Sequence, residues 1–298
     1  MFTMKRYTEE HIEQSIEFLH ESYIEEKTYH VEFFIFDHDK NILYNNLLNL
    51  IKHSNYNYAL YDDDQFIGFI CGFVIPSLWG KFDGYYSPLY GNSVKKKYRK
   101  KGYQFLYEHL SQELVKNNIL SHAITLYTND DISMNTWFHL GFGLRLIDSF
   151  KSIDFDDSFT LPSTLKIHKI TKRNTEDFLS LHKNLHFYFE QAPLFMPQFE
   201  EDEEQEMINF IDKPNHYMYG LYFKDKAVAF MKLRETGENF LTQDEHSIHI
   251  CGLYVDKDIQ RNGIASILLK YVENECHKMG YSILGVDFES FNIKGANF

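Results

Sequence analysis

The chain repeats itself. The segment NYALYDDDQFIGFI at 57–70 matches MYGLYFKDKAVAFM at 218–231, so that Tyr58, Leu60, Tyr61, Asp64 and Phe69 face Tyr219, Leu221, Tyr222, Asp225 and Phe230. Each pair is separated by 161 positions, and so are Val94 and Val255, and Gly102 and Gly263. Separated landmarks at one offset define two copies of one structural plan, a stronger constraint than any composition. The boundary falls near FDDSFTLPST at 155–164, where Pro162 and the Ser/Thr content suit a linker. The expected units are 1–158 and 164–298.

Each copy reads as the same series of elements. A short strand opens it (4–7; 165–170), and an amphipathic helix follows, with Ile12, Ile16, Leu19 and Tyr23 at helical spacing in the first copy. A second helix comes next (ILYNNLLNLIKH; EEQEMINFIDK), then a hairpin, then a strand ending at Val94 or Val255. A long helix and a further β-rich run, HAITLYT or YSILGVDFE, complete the copy. Strands alternating with helices around a hairpin predict an α/β fold with a mixed sheet. Pro88, before Val94, predicts an edge, a bulge or a late strand start in the first copy.

Composition narrows the function classes. The net charge of −13 argues against general nucleic-acid binding, which needs a basic face. It serves solubility first, and it also favours cationic small molecules or basic peptides. The three cysteines, Cys71, Cys251 and Cys276, are far apart and form no CxxC pair, which fits free thiols in a reducing compartment. Neither a signal-peptide pattern nor an uninterrupted apolar run of about 18 residues is found, so a cytoplasmic protein without membrane contact is expected.

The glycine turns carry the chemistry. A helix start has unpaired N–H groups and the positive end of the dipole, and glycine lets a ligand approach that backbone. A single such glycine is most simply a turn former, and KKKYRKK at 95–101 a solvated basic run. Glycine and flanking cations in both copies shift the balance toward a phosphate site.

Gln260-Arg261-Asn262-Gly263-Ile264-Ala265 resembles the Gln/Arg-x-x-Gly-x-Gly/Ala loop of the GNAT superfamily of N-acetyltransferases. Leu253-Tyr254-Val255 is similar to the strand that precedes that loop, and Asn292-Ile293-Lys294-Gly295 to the Asn-x-x-Ala/Gly that opens the family's fourth helix. The resemblance implies two tandem domains, each a splayed mixed sheet flanked by helices. It implies acyl-CoA, usually acetyl-CoA, as donor substrate. Backbone N–H groups from Arg261 to Ser266 would hold its pyrophosphate, and Leu253, Tyr254 and Val255 would pair with its pantetheine arm. Asn292 would touch the pantetheine or adenosine side. The reaction would be direct acyl transfer to a small-molecule or peptide amine, which needs a base and an acid.

The two copies depart from the family pattern differently. In the first, Gln104 replaces the second small residue, Asp130 the Asn and Trp137 the acid Tyr, so this copy is expected to be degenerate. In the second, the chain stops at Phe298, one residue before the expected Tyr and before the family's last strands, which this domain is therefore expected to lack.

His249, six residues before Val255, is the candidate base, since some family members carry His or Glu on this strand and a pKa of about 6.5 suits proton removal. Its plainer reading is a satisfied core histidine. Glu245 and His246 are weaker candidates. Neither His246/His249/Cys251 nor His182/His186 shows a three- or four-ligand spacing, so no metal is expected. EEDEEQE at 200–206 suits a helix start, or an acidic lip over an acceptor cleft. The competing reading of the whole chain is a non-catalytic acyl-CoA-binding or sensing protein on the same fold.

Overall fold

Residue alternation builds the central hairpin of each half, and the second half shows it most fully. The computed structural model describes residues 1–29, 40–196, 202–235 and 245–298. These divide into two compact units, 1–143 and 144–298.

The first unit contains β1 (Phe2–Arg6), α1 (Ile12–Lys27), α2 (Lys40–His53), β2 (Tyr58–Asp62), β3 (Gln65–Ile70), β4 (Phe73–Ile75), β5 (Gly84–Ser87), β6 (Asn92–Val94), α3 (Arg99–Lys116), β7 (Ser121–Ile124) and α4 (Asp131–His139). Its strands form two sheets, β1-β2-β3-β6 and β4-β5-β7. Pro88 explains the division. It opens a one-turn 3-10 helix at Leu89–Gly91 and so breaks one strand into β5 and β6, as a residue without an N–H donor does inside a ladder.

The second unit contains β8 (Leu146–Ser152), β9 (Leu165–Lys169), α5 (Leu179–Glu190), α6 (Glu203–Ile211), β10 (His216–Phe223), β11 (Lys226–Arg234), β12 (Ser247–Val255), α7 (Ile264–Lys278), β13 (Ile283–Glu289) and α8 (Ile293–Ala296). One six-stranded sheet runs β8-β13-β12-β11-β10-β9. The β10–β11 hairpin turns at Lys224 and Asp225, both at positive φ (48° and 63°), as a tight two-residue turn requires. Along β11, Ala229, Met231 and Leu233 enter the core under α7, whose Ile264, Leu268, Val272 and Cys276 recur every fourth residue. Phe230 faces the other way, into a core with Leu181 and Leu185 of α5 and Met207 of α6. Gly280, at φ 97°, follows the end of α7.

One feature of this sheet differs from the sequence expectation, and a second agrees with it. Strand β8, inside the boundary expected for the first unit, pairs with β13 of the second along its whole length, from Leu146↔Glu289 to Ser152↔Ile283. Lys151 then reaches Glu273 of α7 at 2.6 Å. An edge strand left open would expose its ladder groups, and β8 covers β13 on the side where further strands were expected to be lacking. The second feature is a splay. Strands β12 and β13 are parallel and paired only from Ser247↔Ile283 to Ile250↔Val286, whereas β12 stays paired with β11 as far as Val255.

Candidate active site

The splay leaves 251–255 of β12 without a β13 partner on one side, and this open edge leads into the glycine turn. Asp256 starts the turn: its carboxylate accepts from the Asp258 N–H at 3.2 Å and from Lys226 Nζ at 3.0 Å. A single 3-10 turn, Lys257–Ile259, follows. Gln260 then folds back, its Nε2 donating to the Val255 carbonyl at 2.9 Å. Asn262 Nδ2 donates to the Ile259 carbonyl at 3.1 Å. Arg261 and Gly263 both have positive φ, 63° and 76°. A Cβ on Gly263 would meet nothing within 4 Å, so glycine is favoured there by backbone conformation rather than by crowding.

Helix α7 begins at Ile264, with Gly263 as its N-cap and no acidic residue in its first turn. Arg261, Asn262, Gly263 and Ser266 are exposed, Ala265 is half-buried, and Ile264 anchors the turn in the core. The result is an exposed helix start with free N–H groups, suited to an anion. Tyr254 lies on the open strand, its ring in the α5-side core, and its hydroxyl is buried without a hydrogen-bond partner. Asn292 caps α8 through the Gly295 N–H at 3.1 Å, and its Oδ1 also accepts from the Tyr188 hydroxyl of α5 at 2.7 Å. An open strand edge, an exposed helix start and an unmatched hydroxyl fit an extended ligand with an anionic group.

The first unit has the same register without the open turn. Its helix α3 begins at Arg99, the counterpart of Gln260, so the segment that is an exposed turn in the second unit is helical here. Arg99 is 4% exposed, its Nε donates to the Val94 carbonyl, and its Nη1 pairs with Glu25 of α1 at 2.7 Å and Asp130 at 3.3 Å. Asp130 caps α4 through Ser133. Trp137 is buried in the core among Tyr103, Tyr107 and Phe142. Gly102 lies inside α3, where a Cβ would sit 2.8 Å from Val94 Cγ1 and 3.0 Å from Leu60 Cδ2. The turn role expected for Gly102 is thus replaced by close helix–sheet packing.

His249 sits one residue before the last position of β12 that pairs with β13. Ile248 and Ile250 enter the α7-side core, so His249 points to the opposite face, that of α5 and α6. It is buried, and a Cβ on its ladder partner Gly285 would lie 2.1 Å from its Nδ1. Glycine at 285 makes room for the imidazole. Cys251 is half-buried nearby, and burial raises its thiol to about 11. His246 and Glu245 lie before the strand, both largely exposed.

A second polar group on the α5–α6 face was not anticipated. His182 and His186, one turn apart on α5, meet Glu203 and Glu206, nearly one turn apart on α6. Glu203 contacts His182 Nδ1 at 2.6 Å and His186 Nδ1 at 3.2 Å. Lys232 of β11 places Nζ 3.3 Å from both His182 Nε2 and Glu206 Oε1. Burial first, then the Lys232 ammonium, push the His182 imidazole below its usual value, against the pull of Glu203 and Glu206. The Lys232 stem also lies against Gly252, where a Cβ would be 3.2 Å from Lys232 Cδ. Spacing along each helix alone did not reveal this group. The signal lay in two helix-spaced pairs, His182/His186 and Glu203/Glu206, on consecutive helices. Of the acidic run at 200–206, residues 200 and 201 lie outside the described residues. Asp202 caps α6 by accepting from the Glu204 and Gln205 N–H groups.

Comparison with known proteins bears on the fold and family. Residues 182–298 match the family model described as "Acetyltransferase (GNAT) family". No curated protein matches the chain in sequence. Among solved structures, a GCN5-related N-acetyltransferase from Sphaerobacter thermophilus superposes with a TM-score of 0.57 at 10% identity, covering 98% of this chain and 87% of that one. A GCN5-related glucosamine N-acetyltransferase region of a fungal multi-domain GH3 β-N-acetylglucosaminidase gives 0.54 at 11% identity, covering 96% of this chain and 35% of that one. Both likenesses run through the two units. Among the described residues no helix is long and apolar enough to cross a membrane. The chain therefore carries an acetyltransferase (GNAT) family domain at 182–298, within a GNAT-like fold that extends over both of its halves.

Proposed function

We propose that the protein is an acyl-CoA-dependent N-acyltransferase, with acetyl-CoA as donor and a primary amine as acceptor, acting from its second unit. The open 251–255 edge of β12 running into the exposed start of α7 carries this reading. The N–H groups from Arg261 to Ser266 would hold the donor's pyrophosphate, and the backbone of Leu253, Tyr254 and Val255 would bind its extended arm. Asn292, held by Tyr188, would border the same arm.

The acceptor nitrogen attacks the thioester carbonyl, a C–N bond forms, and the C–S bond breaks with a proton going to the departing sulfur. His249 removes the ammonium proton, directly or through water. Its place beside the end of the β12–β13 pairing supports that role. A cationic amine is the preferred acceptor, supported by the −13 charge and by Glu203 and Glu206 on the same sheet face as His249.

The test supplies purified protein with acetyl-CoA and a panel of cationic, neutral and anionic amines, and follows release of the free thiol. Turnover restricted to cationic amines is expected. Binding of acetyl-CoA without turnover on any amine would leave a sensor instead, and turnover favouring anionic amines would overturn the acceptor class.

A further inference from the structure

The group formed by His182, His186, Glu203 and Glu206 has the composition and convergence of a metal site. One ligand atom from each residue can be chosen so that all lie within 4.8 Å of one another. Helix geometry produces this convergence. Residues three or four apart share a helix face, so α5 offers two imidazoles and α6 two carboxylates toward the same point.

The hydrogen bonds organise the group further. Glu203 takes both Nδ1 atoms, at 2.6 and 3.2 Å, and so favours the tautomers that leave each Nε2 with its lone pair. A carboxylate that orients imidazoles through their second nitrogen is the usual support of a histidine metal ligand. The two Nε2 atoms converge on Glu206, 3.7 Å from its Oε1 for His182 and 3.4 Å from its Oε2 for His186. Ligand atoms about 2.1 Å from one ion in a tetrahedral shell are roughly 3.4 Å apart. Two nitrogens with carboxylate oxygens suit a transition ion rather than Mg2+ or Ca2+.

The space between these atoms already attracts a cation. Lys232 Nζ lies 3.3 Å from His182 Nε2 and 3.3 Å from Glu206 Oε1. Its charge offsets only one of the two carboxylates. Its Nζ also lies 4.6 Å from the centre of the Phe210 ring, on a flexible stem that can withdraw. The side chains of His186, Glu203 and Glu206 are 23%, 27% and 27% exposed, which leaves an ion a way in.

We propose that His182, His186, Glu203 and Glu206 form a binding site for one divalent transition-metal ion of the Zn2+ class, for which the Lys232 ammonium is the built-in competitor. His182 Nε2, His186 Nε2 and Glu206 bind the ion, and Glu203 orients the imidazoles. The site is read by metal binding alone, without an activity assay.

The experiment uses the full chain, stripped with a chelator and then titrated with ZnCl2 by calorimetry and with CoCl2 by visible absorption. One ion per chain is expected, with Co2+ bands of a four- or five-coordinate N/O site. The His186→Ala and Glu206→Gln variants should each weaken binding at least tenfold, and Lys232→Met should tighten it. Circular dichroism checks that each variant is folded. Absence of saturable one-per-chain binding, or His186→Ala and Glu206→Gln variants that bind as tightly as wild type, would overturn the site. A Lys232→Met variant that binds no tighter would overturn the competition.

Discussion

Arg99 and Gln260 occupy the same station of the two copies, and each donates to the carbonyl of the valine five residues before it, Val94 or Val255. Beyond that shared bond they diverge. Arg99 goes on to Glu25 and Asp130 and draws the start of α3 into a buried ion group. Gln260 makes no ion pair and leaves the turn before α7 open. The residue at this register position thus marks the difference between a closed helix start and an exposed one.

This difference predicts one acyl-CoA site per chain. Gly263→Glu adds bulk and negative charge where phosphate would lie and strains a backbone at φ 76°, so binding should be lost. Gly102 cannot serve as the control, because its Cβ would collide with Val94 and Leu60. Lys100 is exposed at the start of α3, and Lys100→Glu should leave binding within about twofold if the first unit takes no part. Calorimetric titration with CoA gives both affinity and stoichiometry. Loss of binding in the Lys100 variant with retention in the Gly263 variant would reverse the assignment.

Arg99→Met should destabilise the first unit without touching the second unit's ligand site. It leaves Asp130 without its cation and Glu25 with Lys96 alone, at 3.4 Å. The cost should be about 3 kcal/mol, the low end for breaking a buried pair because Glu25 is partly exposed. Urea denaturation should show the loss, and CoA affinity should stay near wild type. A variant as stable as wild type would mean the ion group contributes little.

His249 and Gly285 form a linked pair. His249→Gln should lower kcat by 10²–10⁴-fold, the usual range for a general base, and change the KM for acetyl-CoA little. Gly285→Ala should push the imidazole aside, costing about 1–3 kcal/mol as overpacking does. In the double variant Gly285→Ala/His249→Ala, stability should partly return and activity should not. An activity that follows stability through all three variants would reduce His249 to packing.

Cys251 should be a slow thiol. Burial raises it to about 11, so almost none of it is thiolate at pH 8. Alkylation of the folded protein by iodoacetamide should be at least tenfold slower than after unfolding, and its rate should climb with pH toward 11. Mass mapping of the modified peptide measures this. Rapid labelling of Cys251 at pH 8 would refute the raised value.

The amino-acid sequence by itself determined the repeat, the α/β class and the Gln260–Ala265 turn, because each is local or periodic. Val94/Val255 and Gly102/Gly263 are found by spacing, and α7 is written in Ile264, Leu268, Val272 and Cys276. Pro88 marked the break in the first copy's strand without saying that it would divide a sheet. Tertiary structure alone decided the rest. Strand β8 joins the second unit because its pairing with β13 spans residues about 140 apart, which no local pattern encodes. Arg99 reads as one of a basic run and proves buried, because its partners Glu25 and Asp130 come from other helices. His182 and His186 read as an isolated helical pair until α6 brings Glu203 and Glu206 against them and β11 supplies Lys232. Periodicity reports which face of an element is apolar, whereas only packing decides which polar groups of separate elements share one small, partly desolvated space.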